Sequence, residues 1–140
     1  PTLGGCHYTK RVVELNFTTD PAEPRFFKGF TNPKTGEMFN KPNTSIFNYT
    51  NGTFFPVGQP IEFEGFADAY EVPITAVEIS LDKGKTWTTF ELGETDPLRW
   101  VNWKYSFTLE TPGSYLIKVR AVAADGSVST DPSQLFFNVK

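Results

Sequence analysis

The sequence of 140 residues lacks most of the side chains on which catalytic chemistry depends. It contains one cysteine, Cys6, and one histidine, His7. A single cysteine excludes an internal disulfide and any zinc site built from several thiolates, and a single histidine removes most metal and triad chemistry. Because adjacent residues on an extended chain point to opposite faces, Cys6 and His7 are not expected to act together as nucleophile and base.

Long apolar runs and an excess of basic charge are also absent. No apolar stretch approaches the roughly eighteen residues that a membrane span requires, so no membrane span is predicted. The 13 Lys and Arg residues are outnumbered by 16 Asp and Glu residues, and the formal net charge is −3. A protein that binds nucleic acid through phosphate contacts needs the opposite balance, so no nucleic-acid partner is predicted.

The sequence does contain strand patterns separated by turns, with 11 Gly, 11 Pro and 14 Phe residues. Apolar and polar residues alternate, as in half-buried strands, and no helical periodicity is found. The predicted strands cover residues 11–18, 61–64, 75–81, 86–91, 100–109, 114–123 and 135–139. The alternation predicts that the inward side chains of the last three are Val101, Trp103, Tyr105, Phe107 and Leu109, then Tyr115, Ile117, Val119 and Ala121, then Leu135, Phe137 and Val139, and that Val77, Ile79 and Leu81 share one face. A turn at Asp82-Lys83-Gly84-Lys85 joins two of them as a hairpin. Short strands at this spacing predict an all-β fold, an immunoglobulin-like antiparallel β-sandwich over residues 57–140.

Residues 20–56 break this regularity and predict an irregular arm. The segment is rich in turn-forming residues, yet it also carries phenylalanine at positions 26, 27, 30, 39, 47, 54 and 55. A plain linker would not carry so many phenylalanines, so the arm is expected to pack on a neighbouring domain. The sequence begins Pro1-Thr2-Leu3, without an initiator methionine or a signal peptide, which predicts a piece of a longer protein.

Several large apolar residues fall on strand faces that otherwise carry polar side chains. A strand of a two-layer sandwich presents mainly polar side chains to water, so these residues predict a protein contact surface. The candidate interface residues are Trp100, Leu116, Val122 and Phe136.

Four segments together resemble the C-terminal, immunoglobulin-like dimerisation domain of the sulfite oxidase-type molybdopterin oxidoreductases. Residues 74–87 (ITAVEISLDKGKTW) are similar to that family's "VEVSLDGGKTW" hairpin. Residues 58–67 (GQPIEFEGFA) resemble the strand before this hairpin, and residues 99–103 (RWVNW) resemble the tryptophan-rich strand after it. Residues 117–126 (IKVRAVAADG) are similar to the family's "I-x-x-R-A-x-D-x-x-G" strand and turn.

Residues 5–15 (GCHYTKRVVEL) resemble the "GYKSVKWLTRIEV" strand that closes the catalytic domain in this family. The resemblance implies that residues 1–19 are the last strand of a truncated molybdopterin-binding domain, and that Lys10 contacts the pterin phosphate. It places the molybdenum-ligating cysteine far upstream of Cys6. The molybdenum cofactor is therefore implied for the parent protein and not for this fragment.

The function that the resemblance implies is a non-catalytic dimerisation and support domain, which is not an enzyme on its own. Its partners would be the missing catalytic domain of the parent chain and a second subunit of a homodimer, and the family favours an extracytoplasmic or periplasmic location. The alternative is a cell-surface immunoglobulin-like module that binds carbohydrate or protein. In that case Trp87, Trp100 or Trp103 would form the binding platform.

Overall fold

The computed structural model describes residues 13–14, 19, 42–69 and 71–140. The chain divides into two compact units, Pro1–Asn40 and Lys41–Lys140, and every strand given below belongs to the second. The described residues do not include Cys6, His7, Lys10 or the arm from residue 20 to residue 41. Most of the strand predicted over residues 11–18 also lies outside them, and these interpretations remain predictions.

The described residues form an all-β fold of two packed sheets. The eight strands are β1 (Asn43–Ile46), β2 (Thr53–Phe55), β3 (Pro60–Asp68), β4 (Ile74–Ser80), β5 (Thr88–Glu91), β6 (Val101–Thr108), β7 (Gly113–Ala123) and β8 (Ser133–Val139). The first sheet has three strands in the order β1-β3-β6, and the second has five in the order β2-β8-β7-β4-β5. All neighbours pair antiparallel except β2 and β8, which are parallel. This confirms the predicted β-sandwich.

The core lies between the two sheets and follows the predicted alternation. Alternate residues of β3, β7 and β8 are buried there, and the largest buried side chains of the core are Trp103, Phe63 and Phe137. The inward sets predicted on β6, β7 and β8 all pack in or against this core. Leu81 is the exception, since β4 ends at Ser80 and the Leu81 side chain is 36% exposed. The alternation therefore does not predict which side chains are buried beyond the end of β4, where the turn begins.

The last part of the predicted arm belongs to the sandwich. Residues 43–46 pair with β3, and residues 53–55 pair with β8, although the sequence predicts one irregular segment over residues 20–56. Strands of three and four residues are too short to show a clear alternation, and the turn residues around them hide it. Phe55 nevertheless joins the core and lies edge-on to Phe137, with ring centroids 5.6 Å apart.

One glycine makes room for the central tryptophan of the core. Gly65 on β3 is paired with Trp103 on β6, and a Cβ atom at Gly65 would lie 2.2 Å from both the Trp103 ring and the Ser45 carbonyl oxygen. The indole therefore lies directly against the backbone of β3. Its N–H donates to Thr44 Oγ1 at 3.0 Å, which satisfies its only donor inside the core.

The predicted hairpin turn between β4 and β5 is organised by a single carboxylate. Asp82 accepts hydrogen bonds from Ser80 Oγ, from the N–H groups of Lys85 and Thr86, and from Thr86 Oγ1, at 2.7–2.9 Å. These donors hold the pKa of Asp82 well below its usual range, the Thr86 N–H contributing most. Lys83 and Gly84 both take positive φ (67° and 91°), the conformation for which glycine is suited.

Candidate interaction surfaces

Trp100 lies on the outer face of the three-stranded sheet, directly before β6. Its side chain is 68% exposed, and its ring stacks on Phe66 of β3 at a centroid distance of 4.5 Å and an angle of 12°. Phe47 continues the register of β1 and donates its N–H to the Glu64 carbonyl, so its side chain points to the same face. With Phe47 56% exposed, this face carries two large rings that are open to water.

Acidic groups surround these rings. Glu62, Glu64 and Asp68 alternate with the buried residues of β3, so they share the outer face, where Lys104 of β6 lies opposite Glu64. The Lys104 ammonium bonds to Glu64 and lies 3.6 Å from Glu62. These contacts raise the pKa of Lys104, with the hydrogen bond to Glu64 as the main cause. Partial burial raises the pKa of Asp68.

Leu116 and Phe136 face each other on the outer face of the five-stranded sheet. They are directly paired across β7 and β8, and Phe136 is 56% exposed. Phe54 of β2, 59% exposed, lies beside Asn138 on the next strand, and the Lys140 ammonium sits 4.3 Å above its ring. The sequence analysis missed Phe54 because β2 falls in the segment read as irregular. Phe54, Leu116 and Phe136, here called the β8 row, lie on one face of three neighbouring strands, with Phe54 offset by two residues of β8 from the Leu116–Phe136 pair.

Val122 does not belong to the β8 row. It lies further along β7, opposite Ala76, and forms an isolated bridge with Val128 after the following turn. The side chain is half-buried. The structure thus separates the four candidate interface residues: Leu116 and Phe136 lie together, Val122 lies apart, and Trp100 lies on the opposite side of the sandwich.

The three tryptophans differ in accessibility. Trp103 is 2% exposed inside the core, which confirms its predicted inward position and removes it from any carbohydrate platform. Trp87 is half-buried, and the Arg120 guanidinium covers it at 4.0 Å from the ring centroid. Arg120 also pairs with Glu78 on β4, which holds the guanidinium in this position. Only Trp100 offers an open ring.

No arrangement for metal chemistry is found in the part of the chain that the structure describes. No group of three or more His, Cys, Asp and Glu side chains that could hold a metal ion occurs there. Nor do these residues include a helix long and apolar enough to cross a membrane.

The described strands are similar to those of several solved structures. The fibronectin(III)-like modules of CbhA from Clostridium thermocellum superpose with a TM-score of 0.58 at 18% identity, over 74% of this chain and 49% of that chain. The sulfane dehydrogenase SoxCD from Paracoccus pantotrophus gives a TM-score of 0.51 at 23% identity, over 71% of this chain and 27% of that chain. A variant of the SrpA adhesin from Streptococcus sanguinis gives 0.50 at 14% identity, over 74% and 60%.

These similarities define the class of domain. No protein-family model and no curated protein matches the chain. The match spans about half of the CbhA structure and about a quarter of SoxCD, with 49% and 27% covered. At these identities the likeness shows the fold: the chain contains an immunoglobulin-like β-sandwich of the kind that fibronectin(III)-like modules also adopt.

Proposed function

We propose that this chain is the non-catalytic dimerisation and support domain of a sulfite oxidase-type molybdopterin-dependent oxidoreductase. The observation that carries the proposal is the hairpin β4–β5. Residues 74–87 resemble the family's hairpin, and they fold as a tight turn built on Asp82. The match therefore covers β4 and the whole turn, in which hydrogen bonds join Asp82 to Lys85 and Thr86.

The outer faces support a role in assembly. A free domain rarely exposes large aromatic groups on both sides, and such groups mark contact surfaces. The proposed partners are the catalytic domain of the parent chain and a second subunit of a homodimer. The redox chemistry belongs to the molybdenum cofactor in the catalytic domain. Lys10 is the proposed contact of this chain to the pterin phosphate, and the similarity to a dehydrogenase supports a redox parent.

The test is the metal content of the natural protein. The protein is tagged at the C-terminal end of this sequence, purified from its source cells, and analysed for molybdenum by mass spectrometry. The 140-residue chain, produced in the same cells, is the control. We expect stoichiometric molybdenum in the polypeptide that includes this sequence and none in the control. A longer parent without molybdenum, or a control that carries it, would overturn the proposal.

A cell-surface binding module is the second candidate function, and the Trp100–Phe66 stack is the observation that favours it. A flat exposed indole over a second ring is a suitable platform for a sugar ring, and the fold is also that of an adhesin. Affinity electrophoresis in gels that contain soluble polysaccharides tests this candidate. We expect Trp100→Ala to abolish retardation, whereas Phe136→Ala on the opposite face leaves it intact. Equal mobility of the unaltered chain with and without polysaccharide would exclude it.

A further inference from the structure

The two sheets end in four edge strands that differ greatly in length. β1, β2 and β5 have 4, 3 and 4 residues, whereas β6 has 8. Long edge strands expose a row of unpaired N–H and C=O groups, and proteins usually shorten such edges, interrupt them with proline or cover them. β6 contains no proline, and its register with β3 is continuous from Ala67–Val101 to Pro60–Thr108. Among the described strands, β6 alone presents a long regular edge.

Hydrogen bonds on β3 determine which groups of β6 face outward. The Glu64 N–H donates to Asn48 Oδ1 and the Glu64 carbonyl accepts from Phe47, while the Glu62 carbonyl accepts from the Asn48 amide. Even-numbered residues of β3 therefore bond toward β1, and odd-numbered ones bond toward β6. In an antiparallel ladder the N–H and C=O of one residue point the same way. Alternation then directs the backbone groups of Asn102, Lys104 and Ser106 to the free edge.

The edges at β1 and β5 carry features that disfavour a further strand, and β2 has only three residues. The Ile46 N–H, which points away from β3, donates to Ser133 Oγ of the second sheet at 3.3 Å. β5 ends in the exposed Glu91, a charge that discourages further pairing. Lys104 is the only charged residue within β6, but its ammonium turns back over β3 to Glu64 and Glu62. The Lys104 ammonium therefore does not lie at the free edge of β6, where it would disfavour pairing with another strand.

The side chains beneath the free edge would accept apolar partners. Tyr105 and Phe107 of β6 point toward the second sheet but are only half-buried, and Phe90 of β5 meets Tyr105 edge-on at 5.9 Å. A strand beside β6 would place every second side chain over these rings. Its other side chains would lie on the outer face beside Asn102, Lys104 and Ser106. The Lys104 ammonium is already paired with Glu64 there, so uncharged polar residues are favoured on this side of the segment.

We propose that the free edge of β6 is a strand-addition site, which binds an extended polypeptide segment antiparallel to residues 102–106. The segment has apolar residues on the side facing Tyr105 and Phe90, and uncharged polar residues on the other. Backbone hydrogen bonds provide the attachment, and the half-buried rings select the alternation, as in other cases of β-strand addition.

The probe is a capped peptide of alternating valine and threonine with a lysine at each end, added to the full 140-residue chain. In antiparallel addition the threonines lie opposite Asn102, Lys104 and Ser106 and make the hydrogen bonds. A peptide N-methylated on its valines therefore keeps its binding edge, whereas the same peptide N-methylated on its threonines loses it. The readout is amide hydrogen exchange at Asn102, Lys104 and Ser106, with Trp103 and Tyr105 as internal references.

We expect the three amides to exchange rapidly in the free chain, and to slow by about tenfold or more when the valine-methylated peptide saturates the site. The threonine-methylated peptide should have no effect. Ser106→Pro should remain folded, because its N–H faces the free edge, and should lose the response that Ser106→Ala retains. Protection of all three amides without peptide would show an edge already occupied and would overturn the proposal. An unchanged exchange rate with the valine-methylated peptide would also overturn it. So would peptide-induced protection of Asn102 and Lys104 in the Ser106→Pro variant.

Discussion

The two outer faces of the sandwich share one architecture but present different surfaces. The three-stranded sheet shows Trp100 stacked on Phe66, amid Glu62, Glu64 and Asp68 and with Lys104 as its only cation among the described residues. The five-stranded sheet shows the β8 row, beside which lie the cations Lys118 and Lys140, whereas Arg120 is paired with Glu78. Both faces are apolar at the centre and charged at the rim, but the sign of the rim charge differs.

We expect this difference to suit two unlike contacts rather than one repeated contact. Interfaces match rim charge of opposite sign, which sets the choice of partner and its orientation. A partner with a basic rim suits the Trp100 face, and one with an acidic rim suits the β8 row. A support domain that touches both a catalytic domain and a second subunit needs two such surfaces.

The largest expected effect is a difference in stability loss between two tryptophan variants, one at the buried Trp103 and one at the exposed Trp100. Trp103→Ala should lower the free energy of unfolding by about 3–5 kcal/mol, because it leaves a cavity between the sheets and removes the partner of Thr44. Trp100→Ala should change it by less than about 1 kcal/mol, because the ring is mainly exposed. Urea denaturation of both variants measures the difference. Similar losses in the two would mean that Trp100 belongs to the core.

The second prediction tests how closely the three-stranded sheet is packed. Gly65→Ala should lower the free energy of unfolding by roughly 1–3 kcal/mol, because its Cβ would overlap both the Trp103 ring and the Ser45 carbonyl oxygen. Thermal unfolding followed by circular dichroism provides the measurement. Adding Trp103→Phe should recover only part of the loss, since the contact with Ser45 remains. Full recovery would assign the whole cost to the indole.

The sequence predicted the strands whose two faces differ in polarity. It did not predict the strands that are too short to show this difference. On β7 the inward residues Tyr115, Ile117, Val119 and Ala121 were all identified, because eleven residues supply enough alternation to fix the register. β1 and β2 were missed because their three or four residues carry too little of that signal. The neighbours of an outward apolar residue depend on strand order, which periodicity does not encode. For that reason Trp100 and Phe136 were grouped, although two sheets separate them.

The third prediction uses the Asp82 turn beside the five-stranded face. Because the folded-state pKa of Asp82 is lowered, its ionised form stabilises the fold above its unfolded pKa of about 4, and this stabilisation is lost as the pH falls toward the folded value. Asp82→Asn should therefore be less stable than the unaltered chain at pH 7, and the gap should narrow below about pH 4. Denaturation midpoints from pH 2 to pH 7 test this, with Asp131→Asn as an exposed control. A gap that does not vary with pH would contradict the role of the carboxylate.

The smallest expected effect concerns self-association, and it distinguishes the two faces directly. The β8 row lies on one face of three neighbouring strands, and a two-fold axis through this face lets the same residues pack against their counterparts in a second copy. Each large side chain contributes about 1.5–3 kcal/mol if fully buried, but the cost of association offsets much of this, so the dimer of the chain should be weak. In sedimentation velocity at high protein concentration, the double variant Leu116→Ser, Phe136→Ser should dissociate at least about tenfold more readily than the unaltered chain. Trp100→Ser should match the unaltered chain, because its face is assigned to a different partner. If Trp100→Ser weakens the dimer and the double variant does not, the assignment of the two faces is reversed.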